Sequence, residues 1–163
     1  MKTKTFLLIL SLIFLLTGCE KIALDNMSVR KYIKLLKSDS YDYNDLPAFN
    51  SSDIQELLKY ADDDQIITKY PHNPISSLIG EDPRLGVLVL WTVESIRLSP
   101  NGPIGRFPSS IPGFWNIKIQ EPVDINIVHP LVSQAYKTWW NLNTDFEQLK
   151  LINPLENTDY SWY

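Results

Sequence analysis

Few side chains in this 163-residue chain could make or break bonds. There is one cysteine, Cys19, and there are two histidines, His72 and His129. A cysteine can serve as nucleophile or acyl acceptor, and a histidine as general base beside a serine and an acid. Glu94 stands three residues before Arg97, a spacing that places both on one helix face and allows an ion pair. A buried Glu could instead be an acid or base, and glycoside hydrolysis would then need a second carboxyl ~5 to 9.5 Å away. Glu121 and Asp124 are the nameable partners. Asp62-Asp63-Asp64 suggests calcium, but a calcium loop needs oxygen ligands spaced along a turn with a glycine bend, which this stretch lacks. The triplet therefore reads as a solvated turn, Glu94–Arg97 as a structural ion pair, and the histidines as local structure. Gly-x-Ser-x-Gly, His-Glu-x-x-His and phosphate-loop motifs are missing. No catalytic residue, metal set or cofactor is assigned.

What remains is non-covalent chemistry. Ser99 to Gly113 reads SPNGPIGRFPSSIPG, too rich in Pro and Gly for a helix or central strand. Irregular loops of this length in compact domains are often functional. Arg106, Phe107 and Trp115 lie on or beside it and form the candidate ligand-binding surface. The competing account packs this loop onto the core through its own aromatics.

The elements that must position these residues are mainly helical. Val29, Tyr32, Ile33 and Leu36 make one apolar stripe over Ser28–Ser38, with Asn26 or Ser28 as cap. A second helix opens at Phe49–Ile54, either with Asn50 and Asp53 or with Ser52 and Gln55 as its capping box, and ends near Ala61. Asp82–Leu98 is the expected core helix, with Asp82 as N-cap and Pro83 as first helical residue. It is apolar nearly all round, so it must be covered on both faces; its β-branched residues make a buried strand the competing assignment. Apolar alternation over Trp115–Gln120 and Val123–Ile127 suggests two short strands broken at Glu121-Pro122, as a hairpin or as extended cover. Pro130 to Asn141 is the next helix. Thr144 and Glu147 open a last short one, stopped by Asn153-Pro154. The aromatic tail should dock through Trp162. The fold expected is a compact, mainly α domain with a central buried helix near 82–98 and a short hairpin near 115–128.

The N-terminus carries the sharpest signal. Lys2 and Lys4 precede an almost wholly apolar run from Phe6 to Leu16, the pattern of an export signal. The run is about half of the ~20 residues a permanent membrane helix needs. Leu16-Thr17-Gly18-Cys19 closely resembles the lipobox of bacterial lipoproteins. That resemblance implies cleavage before Cys19, a diacylglyceryl thioether on its sulfur, and further acylation with fatty acid such as palmitate. Two or more acyl chains anchor a protein stably. Residues 1–18 would then be the signal peptide, 19–25 the lipidated anchor and tether, and 26–163 a single globular domain.

Removing residues 1–18 takes away two lysines and no acid, which moves the formal charge from −4 to −6. An acidic balance argues against a nucleic-acid partner, which needs clustered Lys and Arg. A single cysteine precludes an intramolecular disulfide. Hydrophobic content of 44% with 12% aromatic is that of a packed globule.

The lipobox at Cys19, Leu57–Asp62 (LLKYAD), Asn73–Ser77 (NPISS) and Leu90–Arg97 (LWTVESIR) together resemble small Bacteroidetes-type lipoproteins classed as a domain of unknown function. The resemblance supplies no functional residue beyond Cys19. The expectation is a lipid-anchored protein of the bacterial envelope, at the outer membrane, acting as a non-catalytic binding or interaction domain. The alternatives are a carbohydrate-handling accessory protein, whose Trp and Tyr would stack on sugar rings, and a carboxylate-dependent hydrolase. An acidic inhibitor of a basic toxin or lysozyme is a further case.

Overall fold

The computed structural model describes residues 24–72, 82–99, 107–109, 111–142 and 144–163. Five α-helices are named here in chain order: α1 (Val29–Lys37), α2 (Ile54–Leu57), α3 (Leu85–Leu98), α4 (Ile125–Trp140) and α5 (Phe146–Leu149). Three short strands, β1 (Phe114–Asn116), β2 (Glu121–Pro122) and β3 (Tyr160–Trp162), form an antiparallel sheet in the order β2-β1-β3. The fold is thus mixed, helical with a small three-stranded antiparallel sheet.

The first helix forms as its stripe dictates. Val29, Tyr32, Ile33 and Leu36 are all buried, and the Ser28 side chain accepts a hydrogen bond from the Lys31 amide. Its C-terminus closes with Asp39 N–H on the Leu36 carbonyl and Ser40 N–H on the Leu35 carbonyl. That pairing needs a left-handed residue between them, and Asp39 supplies it at φ 48°. The second helix is split: 3-10 turns at Ser51–Asp53 and Leu58–Tyr60 flank α2. Asn50 and Asp53 form the capping box, so of the two boxes available it is Asn50, not Ser52, that starts the segment.

Helix α3 is the core. Every residue from Leu85 to Ile96 is buried, as an all-round apolar helix requires, and it packs on α4 and on the Ile54–Tyr60 segment. It begins three residues later than Asp82. Ile66 and Arg84 form an isolated antiparallel bridge, with Ile67 N–H on the Pro83 carbonyl and Leu85 N–H on the Gln65 carbonyl. Extended pairing thus holds residues 83 and 84 out of the helix, whose N-cap is Arg84.

The largest correction falls at residues 115–130. The turn lies at residues 117–120, where Gln120 adopts φ 56° and the Asn116 side chain accepts from the Lys118 and Ile119 amides. Glu121-Pro122, expected as a break, is β2 itself, with Trp115 opposite Pro122. Residues 125–127, expected as strand, are the first turn of α4. Asp124 caps that turn by accepting from the Asn126 amide, so Pro130 lies inside the helix rather than at its start. Alternating Ile125 and Ile127 imitate a strand, yet Ile127 is 66% exposed; the buried face is Val128, Val132, Tyr136 and Trp139. Asp145, not Thr144, is the N-cap of α5. The tail docks as a strand: Phe114 faces Trp162 across the sheet, ring centroids 4.4 Å apart.

Candidate functional site

Glu94 and Arg97, the pair singled out for acid–base chemistry, meet in the interior. Arg97 donates from Nε to Glu94 Oε2 at 2.8 Å and from Nη2 to Oε1 at 2.6 Å. Their side chains are 11% and 6% exposed, arginine first. Tyr136 donates to Glu94 Oε2 at 2.7 Å, Trp162 Nε1 donates to the Tyr136 hydroxyl at 2.8 Å, and Arg97 Nη1 donates to the Lys150 carbonyl at 2.9 Å. Helices α3 and α4, β3 and the end of α5 are tied at one point. Burial, and then the charge of Glu94, pushes the Tyr136 hydroxyl well above its ordinary value, so it stays a donor. For Arg97 burial works against the charge, but the hydrogen bonds and charge of Glu94 outweigh it and hold the guanidinium above its usual range. Among the described residues no buried side-chain nitrogen or oxygen lacks a partner. Glu121 and Asp124 do not join this cluster; both are exposed, one in β2 and the other capping α4. Among the described residues, neither of the two carboxylates named as partners for Glu94 pairs with it.

The aspartate triplet is the solvent-facing turn expected, with the Asp62 and Asp64 side chains 70% and 76% exposed, and it also joins neighbouring segments. Asp62 accepts from Ser133 and Lys137 of α4. Asp63 pairs with Lys37 at the end of α1 at 2.6 Å. Asp64 lies 3.6 Å from Arg84 and 3.4 Å from His129 Nδ1. His129 is buried and its Nε2 donates to the Ala61 carbonyl at 2.7 Å. Gly86 is required beside it. A Cβ there would stand 2.4 Å from both the Ala61 oxygen and His129 Nε2. No group of three or more His, Cys, Asp or Glu side chains among the described residues could hold a metal ion. His72 is in a loop, its Nδ1 3.0 Å from the Tyr70 carbonyl.

Of the candidate ligand-binding residues, Arg106 lies outside the described residues, as do Cys19 and Asn73–Ser77. Phe107 stacks on Trp91 at 4.9 Å with the planes 10° apart, and Trp91 donates to Ser109 at 2.9 Å. The described part of this loop is therefore packed down by its aromatics. Trp115 is half-buried in β1 and meets Tyr163 edge-on at 6.0 Å. A groove of about 340 Å³ opens nearby, bordered by Tyr70, Pro112, Pro122, Asp124 and Tyr163, but neither Phe107 nor Trp115 lines it.

A larger groove, about 720 Å³, lies elsewhere, between the Ser51–Tyr60 segment, the C-terminal end of α4 and α5. Trp140 and Phe146, both half-buried, form its apolar part. Lys59, Lys137, Gln55 and Asn141 bring donors and acceptors to it, with the hydroxyls of Ser51, Ser52 and Thr144. Trp140 also packs part of its surface against the core. The signal for the groove was present as Lys137, Trp140 and Asn141 at i, i+3 and i+4, with Gln55 and Lys59 at i and i+4. Their convergence could not be read from spacing, because it depends on how α4 crosses the second segment. A third groove, about 380 Å³, is bordered by Leu131, Ala135, Leu142, Ile152 and Pro154 and is more apolar.

No described helix is long and apolar enough to cross a membrane. A family model described as a domain of unknown function, DUF4943, matches residues 23–163. No curated protein and no solved structure matches the chain.

Proposed function

The chain belongs to the DUF4943 family, and from that premise we propose that it is a lipid-anchored, non-catalytic binding domain of the bacterial cell envelope. The observation that carries the non-catalytic part is the state of Glu94. Its carboxylate takes three hydrogen bonds from Arg97 and Tyr136 within the core, and its side chain is only 6% exposed, which keeps it out of a substrate's reach. His129 is buried on the Ala61 carbonyl, and the three aspartates pair with Lys137, Lys37 and Arg84. The open surface instead presents hydrogen-bonding and aromatic groups in a groove, the arrangement of a binding site.

The anchor reading rests on Leu16-Thr17-Gly18-Cys19 and the apolar run before it. Cys19 would be acylated and inserted in a bilayer, with the outer membrane as its place. Leu24 is already buried and its carbonyl accepts from the Ala48 amide. Five residues from Cys19 to Leu24 span at most ~18 Å, so an anchored domain would sit close to the lipid surface. A mainly helical body on a short tether suits the capture of a ligand at that surface. The carbohydrate-handling reading gains a specific observation, since Trp140 lines the groove of about 720 Å³ beside amide and hydroxyl groups.

The test is the intact mass of the protein purified from membranes, beside a Cys19→Ala control. The expected mass is that of residues 19–163 plus diacylglyceryl and acyl groups, with the lipid lost in the control. A mature chain without lipid would overturn the anchor.

A further inference from the structure

The groove between the Ser51–Tyr60 segment and the end of α4 differs in charge from the chain as a whole. The protein has 19 acids against 15 bases, yet the described residues lining this groove include Lys59 and Lys137 and no carboxylate. Lys137 is compensated by Asp62. Lys59 is exposed, and no ion pair among the described residues includes it, so the groove keeps a net positive charge. The two aromatics supply the complementary apolar surface. Sugar rings present C–H faces that pack on aromatic side chains, while their hydroxyls match amides that both donate and accept, as Gln55 and Asn141 do. A flat hydrophobic ligand would leave those amides without partners; a bare anion would leave Trp140 and Phe146 uncovered.

We propose that this groove binds an acidic oligosaccharide, with Trp140 against a sugar ring and Lys59 facing a carboxylate. The inference deepens the envelope-binding reading and rests on it. The other two grooves described above do not fit this ligand: neither has a lysine or arginine among its lining residues, and one is bordered by Asp124.

The experiment is calorimetric titration of the detergent-solubilised, membrane-purified protein with hexagalacturonate and with a hyaluronan hexasaccharide. Maltohexaose serves as the neutral control and the buffer is calcium-free. At least one acidic hexamer is expected to bind more tightly than the neutral one. Trp140→Ala and Lys59→Glu should each weaken binding about tenfold or more, the range a central contact supplies. Raising NaCl from about 0.05 M to about 0.5 M should also weaken it, as screening of an exposed charge requires. Binding of neither acidic hexamer, equal binding of the neutral one, or binding indifferent to both substitutions would overturn the proposal. Circular dichroism of each variant separates lost contacts from lost folding, and the solvent position of Lys59 keeps that variant informative if Trp140→Ala unfolds. Intact mass is measured on the same preparation. A lipidated chain that binds no acidic hexamer ends this inference alone, and an unlipidated chain that binds one ends only the anchor.

Discussion

Helix α4 serves two regions in opposite ways. Tyr136, on its buried side, is one link in a chain of hydrogen bonds from Trp162 to Glu94 and Arg97. Lys137, Trp140 and Asn141, on the next turn, border an open groove. The first region holds the residues with the most reactive reputation, the second those with the least. The difference teaches that residue type alone does not locate function. A carboxylate hydrogen-bonded three times in the core is held as scaffold, whereas a half-buried tryptophan beside exposed amides and an exposed lysine is the surface proposed for a ligand.

The sharpest way to break that comparison is Glu94→Gln. It leaves the Arg97 guanidinium buried without a counter-charge, which costs ~3–5 kcal/mol out of the ~5–15 kcal/mol available to a domain. Urea unfolding should show a midpoint lowered accordingly. A midpoint within error of the wild type would mean that the buried pair is not scaffold.

Gly86→Ala comes next. An alanine in an ordinary helix interior gains ~1 kcal/mol over glycine. Here its Cβ would overlap the Ala61 oxygen and His129, and overpacking of that kind costs ~1–3 kcal/mol. Thermal unfolding should therefore show a net loss, and a gain would deny the close approach of α3 to the aspartate turn.

The smallest effect is the pH dependence of that turn. Hydrogen bonds from Lys137 and Ser133 hold the Asp62 carboxyl below its ordinary range. Burial pushes Asp63 up, but the bonds from Lys37 and the Gln65 amide outweigh it and the net direction is down. A folded value below the unfolded one means that the stabilisation is complete above the unfolded value of about 3.9. It is lost as pH falls further, through the folded values. For pairs this accessible the contribution is ~0–1 kcal/mol each. The melting temperature of an Asp62→Asn, Asp63→Asn variant should lie below the wild type at pH 7 and converge on it in strong acid. A gap that stays constant with pH would show that charge is not what these residues contribute.

Local signals carried much of the fold. The stripe Val29, Tyr32, Ile33, Leu36, the capping box of Asn50 and Asp53, and the burial of 85–96 all follow from short-range rules that the structure obeys. Those rules give way where tertiary pairing overrides them. Residues 83 and 84 looked helical but pair with 65–67. Ile125 and Ile127 alternate like a strand, yet the Asp124 cap starts a helix there. The Trp162 contact was anticipated from its aromatic character, but its place as an edge strand depends on Phe114, some fifty residues away. For the site, Phe107 was legible as an aromatic in an irregular loop, but its stack on Trp91 makes it packing. The groove residues come from three separate segments, and no spacing within one of them reveals the other two.

The central claim is the division of labour along α4, and thermal melting tests it directly. Wild type, Glu94→Gln and Trp140→Ala are each melted with and without a saturating acidic hexasaccharide, since a ligand that binds the folded state raises its melting temperature. The account predicts that Glu94→Gln melts lower but keeps the ligand-induced rise, while Trp140→Ala loses the rise yet still shows a folding transition. A Glu94→Gln protein that melts normally and no longer responds to ligand would place binding in the buried cluster and contradict the account.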